Sequence, residues 1–214
     1  MSDDENPPED PREMLALMDD ARHSAARKLS NRYISLFVVW AVAWAIGFGI
    51  LYITTGAGAF DVVPTVVGWT VFAALIIGAI IWSTIVGISA AGDGIRGPSQ
   101  LQGMLYGLSW TITMFMAWLL IAGLQRNGLE GDLLQLVYPG VYVFLVGVLY
   151  LSGGAVFRAV PMYVLGGILI VVACVATFFG YPTHYLVYAT VGPAAMLVVA
   201  ALMAWGPRRM RIGS

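Results

Sequence analysis

Residues 33–55 read YISLFVVWAVAWAIGFGILYITT, a stretch without a single charged residue. At ~1.5 Å of rise per residue, such a helix crosses a hydrocarbon core of ~30 Å. Immediately before it comes a basic collar of Arg22, Arg27, Lys28 and Arg32. Basic residues flanking a first span stay in the cytoplasm, so the collar predicts a cytoplasmic N-terminal side. The side of every later segment follows from that choice.

The rest of the chain has the same character. Of its 214 residues, 59% are hydrophobic and 11% are charged, against ~25% charged in soluble domains. Most of the acids crowd the start: Asp3, Asp4, Glu5, Glu9, Asp10, Glu13, Asp19 and Asp20. A soluble core of this size has no room for so much apolar surface, so the expected solvent is the lipid bilayer. Five further apolar segments are predicted to span, at roughly 62–90, 103–124, 136–157, 160–179 and 184–205. The expected fold is therefore all-α, a polytopic membrane protein with six transmembrane helices.

Four regions follow from the composition. Residues 1–9 are an acidic, proline-containing tail, expected to be disordered. Residues 10–32 form an amphipathic helix: Asp10 and Glu13 resemble a capping box, Pro11 suits the first helical position, and Met14, Met18, Ala21, Ala25 and Leu29 recur at helical spacing. This helix is expected on the cytoplasmic membrane surface or under the bundle; the alternative is a continuous extension of the first span into the cytosol. Residues 33–205 are the six-helix domain, and 206–214 a basic cytoplasmic tail. The acidic start and late first apolar run do not resemble a secretory signal.

Six spans can be checked against charge. With the N-terminus inside, Arg22, Arg27, Lys28, Arg32, Arg96, Arg158, Arg208, Arg209 and Arg211 fall on the cytoplasmic side, and only Arg126 of the remaining span-flanking cations falls outside. That bias predicts both termini in the cytoplasm. Arginine outnumbers lysine, which we read as a GC-rich bacterial genome and hence a bacterial plasma membrane. Small residues mark close helix approaches: Ala41, Ala45 and Gly49 in span one; Gly103, Gly107 and Thr111 in span three; Gly140, Gly147 and Gly154 in span four. These stripes are expected to pack the bundle or, alternatively, to form a homo-oligomer face. Pro193, preceded by Gly192, should bend span six.

No chemistry-bearing motif stands out. No Asp, Glu, Lys or Arg lies deep in any span, although such residues often mark ion-coupled transport. HExxH, GxSxG, P-loop and clustered Cys/His patterns are missing, and Cys174 is the single cysteine. We therefore expect no enzyme, cofactor, metal site or nucleic-acid partner. His184 should sit at the membrane mouth as an interfacial polar group or, alternatively, a proton sensor. The intramembrane polar and aromatic groups are the substrate-path candidates: Trp44, Trp82, Ser83, Ser109, Trp110, Thr113, Tyr150 and Ser152. Hydroxyls in lipid also bond back to their own helix or to a neighbour, without any ligand.

The span count, the pre-helix and the polar loop after span two resemble permease halves of export ABC systems. Size and layout are also similar to the substrate-binding subunits of vitamin transporters. This likeness carries over no residue. It leaves two expectations: a small transporter or permease subunit for an uncharged or amphipathic solute, or a non-transporting structural or regulatory membrane protein. The expected partners are accordingly a second copy, an ATPase or a cytosolic regulator.

Overall fold

The computed structural model describes residues 11–55, 63–91 and 98–205. Six helices follow one another: α1 (Pro11–Thr54), α2 (Thr65–Ala91), α3 (Pro98–Arg126), α4 (Gly131–Val156), α5 (Val160–Thr177) and α6 (Thr183–Trp205). Among the described residues there is no strand. Each helix contains a segment long and apolar enough to cross a membrane: Asn31–Thr54, Thr65–Ser89, Leu101–Arg126, Gly131–Val156, Val160–Thr177 and Thr183–Trp205. The tails 1–9 and 206–214, with Asp61 and Arg96, lie outside the described residues.

α1 is the longest element, with 44 residues in one α-helix. The amphipathic segment does not form a separate surface helix; it runs into the first span without a break. Nothing in residues 28–34 (KLSNRYI) interrupts a helix: there is no proline and no glycine. The inner face of α1 is Phe37, Ala41, Trp44, Phe48 and Leu51. Their alternating steps of four and three residues put them on one side of the helix.

α1 packs on α6 and α2, α6 on α5, α5 on α4, and α4 on α3. The main body is thus α1, α6, α5 and α4, with α2 outside α1 and α3 outside α4. The centre is filled by large side chains. Phe48 lies with its ring centroid 5.3 Å from Tyr188, 5.6 Å from Trp44 and 5.0 Å from Phe72. Leu51, Leu165, Leu169 and Tyr185 are fully buried around them.

Glycine decides the closest seams. A Cβ on Gly147 would lie 2.8 Å from the Ile170 backbone nitrogen and 2.9 Å from the Gly166 carbonyl oxygen. One on Gly154 would run into the backbone of Tyr163. The span-four stripe is therefore the α4–α5 contact. Gly192 likewise lets α6 approach the Trp44 ring, where a Cβ would stand 2.8 Å away. The other stripes turn out differently. Gly103 and Gly107 have open space where a Cβ would be, as does Gly49. In α1 the close approach is at Gly47 instead, 2.9 Å from the Phe72 ring.

Two helix ends share one capping design. After α3, Gly128 has φ of 98°, its N–H bonds to Gln125 O, and Leu129 N–H reaches back to Leu124 O. After α4, Arg158 has φ of 53°, its N–H bonds to Ala155 O, and Ala159 N–H reaches Gly154 O. Both are Schellman caps. The first lets α4 begin at Gly131, five residues ahead of the predicted 136. Asp132 in its first turn suits the positive end of the helix dipole.

Candidate functional site

Polar groups within the spans collect on the α1–α2 and α3–α4 contacts. On the α2 side, the Trp40 indole N–H donates to Ser83 Oγ at 2.9 Å, and Ser83 donates to Ala79 O. The Trp82 indole N–H donates to Ser35 Oγ at 3.3 Å. On the α3 side, the Tyr106 hydroxyl donates to Leu149 O at 2.9 Å, the Tyr142 hydroxyl to Met114 O at 3.2 Å, and Gln102 to Val156 O at 3.1 Å. A relay of rings joins the two sides. Trp110 meets Tyr150 edge-on at 5.4 Å, and Tyr150 meets Phe37 at 5.9 Å. Phe37 precedes Trp40 by one helical turn.

The eight sequence-predicted residues therefore divide. Trp82 and Ser83 belong to the α1–α2 contact. Trp110 and Tyr150 belong to the α3–α4 contact, and Thr113 is half-buried on α3. Trp44 is buried in the core beneath Gly192. Ser109 and Ser152 are exposed, and Ser109 donates to Leu105 O of its own helix. Two shallow surface depressions hold none of them. One runs along Met116, Leu119, Leu120 and Gly123 of α3, the other along Val66, Trp69, Thr70 and Ala73 of α2. Both are shallow and almost wholly apolar.

A second polar group, at the opposite end of the bundle, was not anticipated. His184 is fully buried at the start of α6, beside Gln135 of α4. Its Nε2 lies 3.1 Å from Gln135 O, and the Tyr185 hydroxyl donates to Gln135 Oε1 at 3.0 Å. A carbonyl only accepts, so the ring proton resides on Nε2. Nδ1 is then an acceptor, buried and with no hydrogen-bond partner among the described residues. Tyr185 and Tyr188 pack on the imidazole, with centroids 4.0 and 5.8 Å away. Gln135 was the available signal: a lone amide at the start of an otherwise apolar helix needs partners, which its position opposite His184 and Tyr185 supplies.

Hydroxyls, indoles and one imidazole make an arrangement able to tie helices together in lipid, where each such bond is worth about 0.6–2 kcal/mol. It also presents the flat aromatic faces of Trp110 and Tyr150, of a kind that holds neutral amphipathic molecules. Comparison with known proteins adds nothing to this geometry: no family model, no curated protein and no solved structure matches the chain.

Proposed function

We propose that this is a non-transporting membrane protein that holds a cytosolic partner at a bacterial plasma membrane. The observation that carries this reading is α1. Its last 24 residues are a span, and the same helix continues for another 20 residues beyond it, from Pro11 to Ser30. The filled interior around Phe48, Tyr185 and Tyr188 supports it, because a body packed by large rings leaves no polar route along its axis. The arginine asymmetry supports a cytoplasmic position for the projecting end.

The relay of rings from Trp110 through Tyr150 to Phe37 favours a second reading, as a permease subunit for an uncharged, amphipathic solute. There the solute would pass along Ser83, Trp110 and Tyr150. The deciding experiment reconstitutes the purified chain into vesicles and, separately, isolates it in mild detergent from the membranes in which it is made. We expect no solute flux, and a soluble protein bound in fixed ratio that is lost when residues 11–30 are replaced by a Gly/Ser linker. Solute-specific flux by the chain alone, abolished in Trp110→Ala and Tyr150→Phe, overturns the proposal in favour of transport.

A further inference from the structure

His184 is fully buried, and its Nδ1 has no hydrogen-bond partner among the described residues. It sits where two helices begin. It is the second residue of α6, and Gln135, whose carbonyl accepts from its Nε2–H at 3.1 Å, is the fifth residue of α4. The Tyr185 hydroxyl makes a second bond to the same glutamine at 3.0 Å. α4 packs on α3 and α5, and α6 on α1 and α5. The two bonds of Gln135 add a direct tie between the first turns of α4 and α6.

This setting suits a neutral ring and not a charged one. With the ring proton on Nε2, a second proton must go to Nδ1. The Gly180 carbonyl beside the ring is already held by the His184 backbone N–H at 2.9 Å. The starts of α4 and α6 are the positive ends of their dipoles, which repel a cation. The ionisable groups around the ring are tyrosines. Tyr181, Tyr185 and Tyr188 have centroids 6.1, 4.0 and 5.8 Å away, and Tyr52 of α1 and Tyr138 of α4 are half-buried. None of these hydroxyls is negative in acid. Glu130 and Asp132 of α4 and Cys174 of α5 are exposed. Among the described residues no carboxylate pairs with the imidazole. Tyrosine faces attract a cation, but by less than full burial costs it in lost hydration.

We propose that Gln135, His184 and Tyr185 form an acid-released latch. Neutral His184 holds the start of α6 to α4. A proton taken from solvent onto Nδ1 drives the ring away from Gln135 into water, and the two first turns separate. An imidazole in water titrates near pH ~6.5. The released state binds one more proton than the latched state, so the latch is complete above that pH and is lost as the pH falls below it. For a ring that stays neutral while latched, the equilibrium moves about 30-fold toward release between about pH 7.5 and about pH 5. α6 begins at the end of the bundle where α1 ends. The latch therefore reads the pH on the side of the membrane opposite the projecting part of α1.

The test follows hydrogen exchange of the full chain in lipid nanodiscs, by mass spectrometry, at about pH 7.5 and about pH 5, corrected for intrinsic exchange rates. Nitrogen NMR of the histidine rings runs alongside it, with His184 assigned by its loss in His184→Gln. We expect protection of residues 131–137 and 183–188 to fall by about tenfold or more in acid. Protection of α5 should hold, and the His184 ring should pass from the Nε2–H form to the charged form over the same range. His184→Gln keeps an N–H for the Gln135 carbonyl and does not titrate, so its protection should match at both pH values. Glu130→Gln/Asp132→Asn should respond as wild type does. Unchanged protection in acid, a ring that stays neutral or is charged throughout, or an equal loss in α5 overturns the proposal. So does a response that survives in His184→Gln or disappears in Glu130→Gln/Asp132→Asn. If His184→Gln does not fold, the wild-type exchange and the charging of the remaining buried ring decide it together.

Discussion

Two glycine pairs carry the same signal and have opposite surroundings. Gly147 and Gly154 of α4 are pressed against the backbone of α5, whereas Gly103 and Gly107 of α3 face open space. The contrast extends to whole helices. Over an 18-residue apolar stretch of each span, 39% of α1 residues and 33% of α5 and α6 residues are buried, against 22% in α4 and 11% in α2 and in α3. A small-residue stripe states that a face permits close approach. Whether a partner stands there depends on the path of the chain, which the stripe does not encode. The body of α1, α4, α5 and α6 is held by interdigitated volume. Of the flanking helices, α2 also packs closely on α1 at Gly47, whereas α3 is held more by a few hydrogen bonds, such as Tyr106 to Leu149 O.

This difference should be largest for the big core rings. Trp44→Ala leaves a void beneath Gly192 and should cost about 3–5 kcal/mol. Trp118→Ala, on the exposed face of α3, should stay within about 0.5 kcal/mol; thermal unfolding in detergent compares them. Equal losses would break the division into body and flanks.

The glycines come next. Gly154→Leu forces α4 and α5 apart and should cost about 1–3 kcal/mol. Gly107→Leu should be nearly silent by the same assay. A Gly107→Leu loss as large as that of Gly154→Leu, accompanied by a change in oligomer mass, would mean that a second copy covers α3.

Smaller again is the polar tie of the flank. Tyr106→Phe removes the bond to Leu149 O and should cost about 0.6–2 kcal/mol. Hydrogen exchange should rise in α3 and not in α5. Uniform exchange across both helices would show that α3 is no looser than the body.

The smallest effect concerns the two matching caps. Gly128 has no Cβ to strain at positive φ, while Arg158 has one. Arg158→Gly should therefore raise stability by up to about 1 kcal/mol, and Gly128→Ala should lower it by a similar amount. A destabilised Arg158→Gly would show that the arginine side chain, rather than the turn, holds this end of α4.

The sequence made the spans legible because twenty-odd apolar residues in a row have one physical outcome in a membrane protein. It made the α4 stripe legible for a similar reason: glycines seven residues apart fall on one face. The start of α4 was missed because Glu130 and Asp132 look like loop residues, although Asp132 is well placed in a helical first turn. The burial of His184 was missed because its cover comes from Gln135, 49 residues away in the chain. The candidate site was half legible. Residue type identified Trp110 and Tyr150, but only packing shows that Ser109 bonds to its own helix and that Trp44 belongs to the core.

The unbroken length of α1 has a mechanical side. A helix of 44 residues is a rod of about 66 Å, with its pivot among the packed rings of the bundle. Met14 lies ~25 Å from the start of the span, so a 10° tilt within the membrane swings it sideways by about 4 Å. Bilayer thickness, tension or a lipid lodged beside α2 would thus be translated into displacement of the far tip, much as a gauge needle magnifies the motion of its spindle.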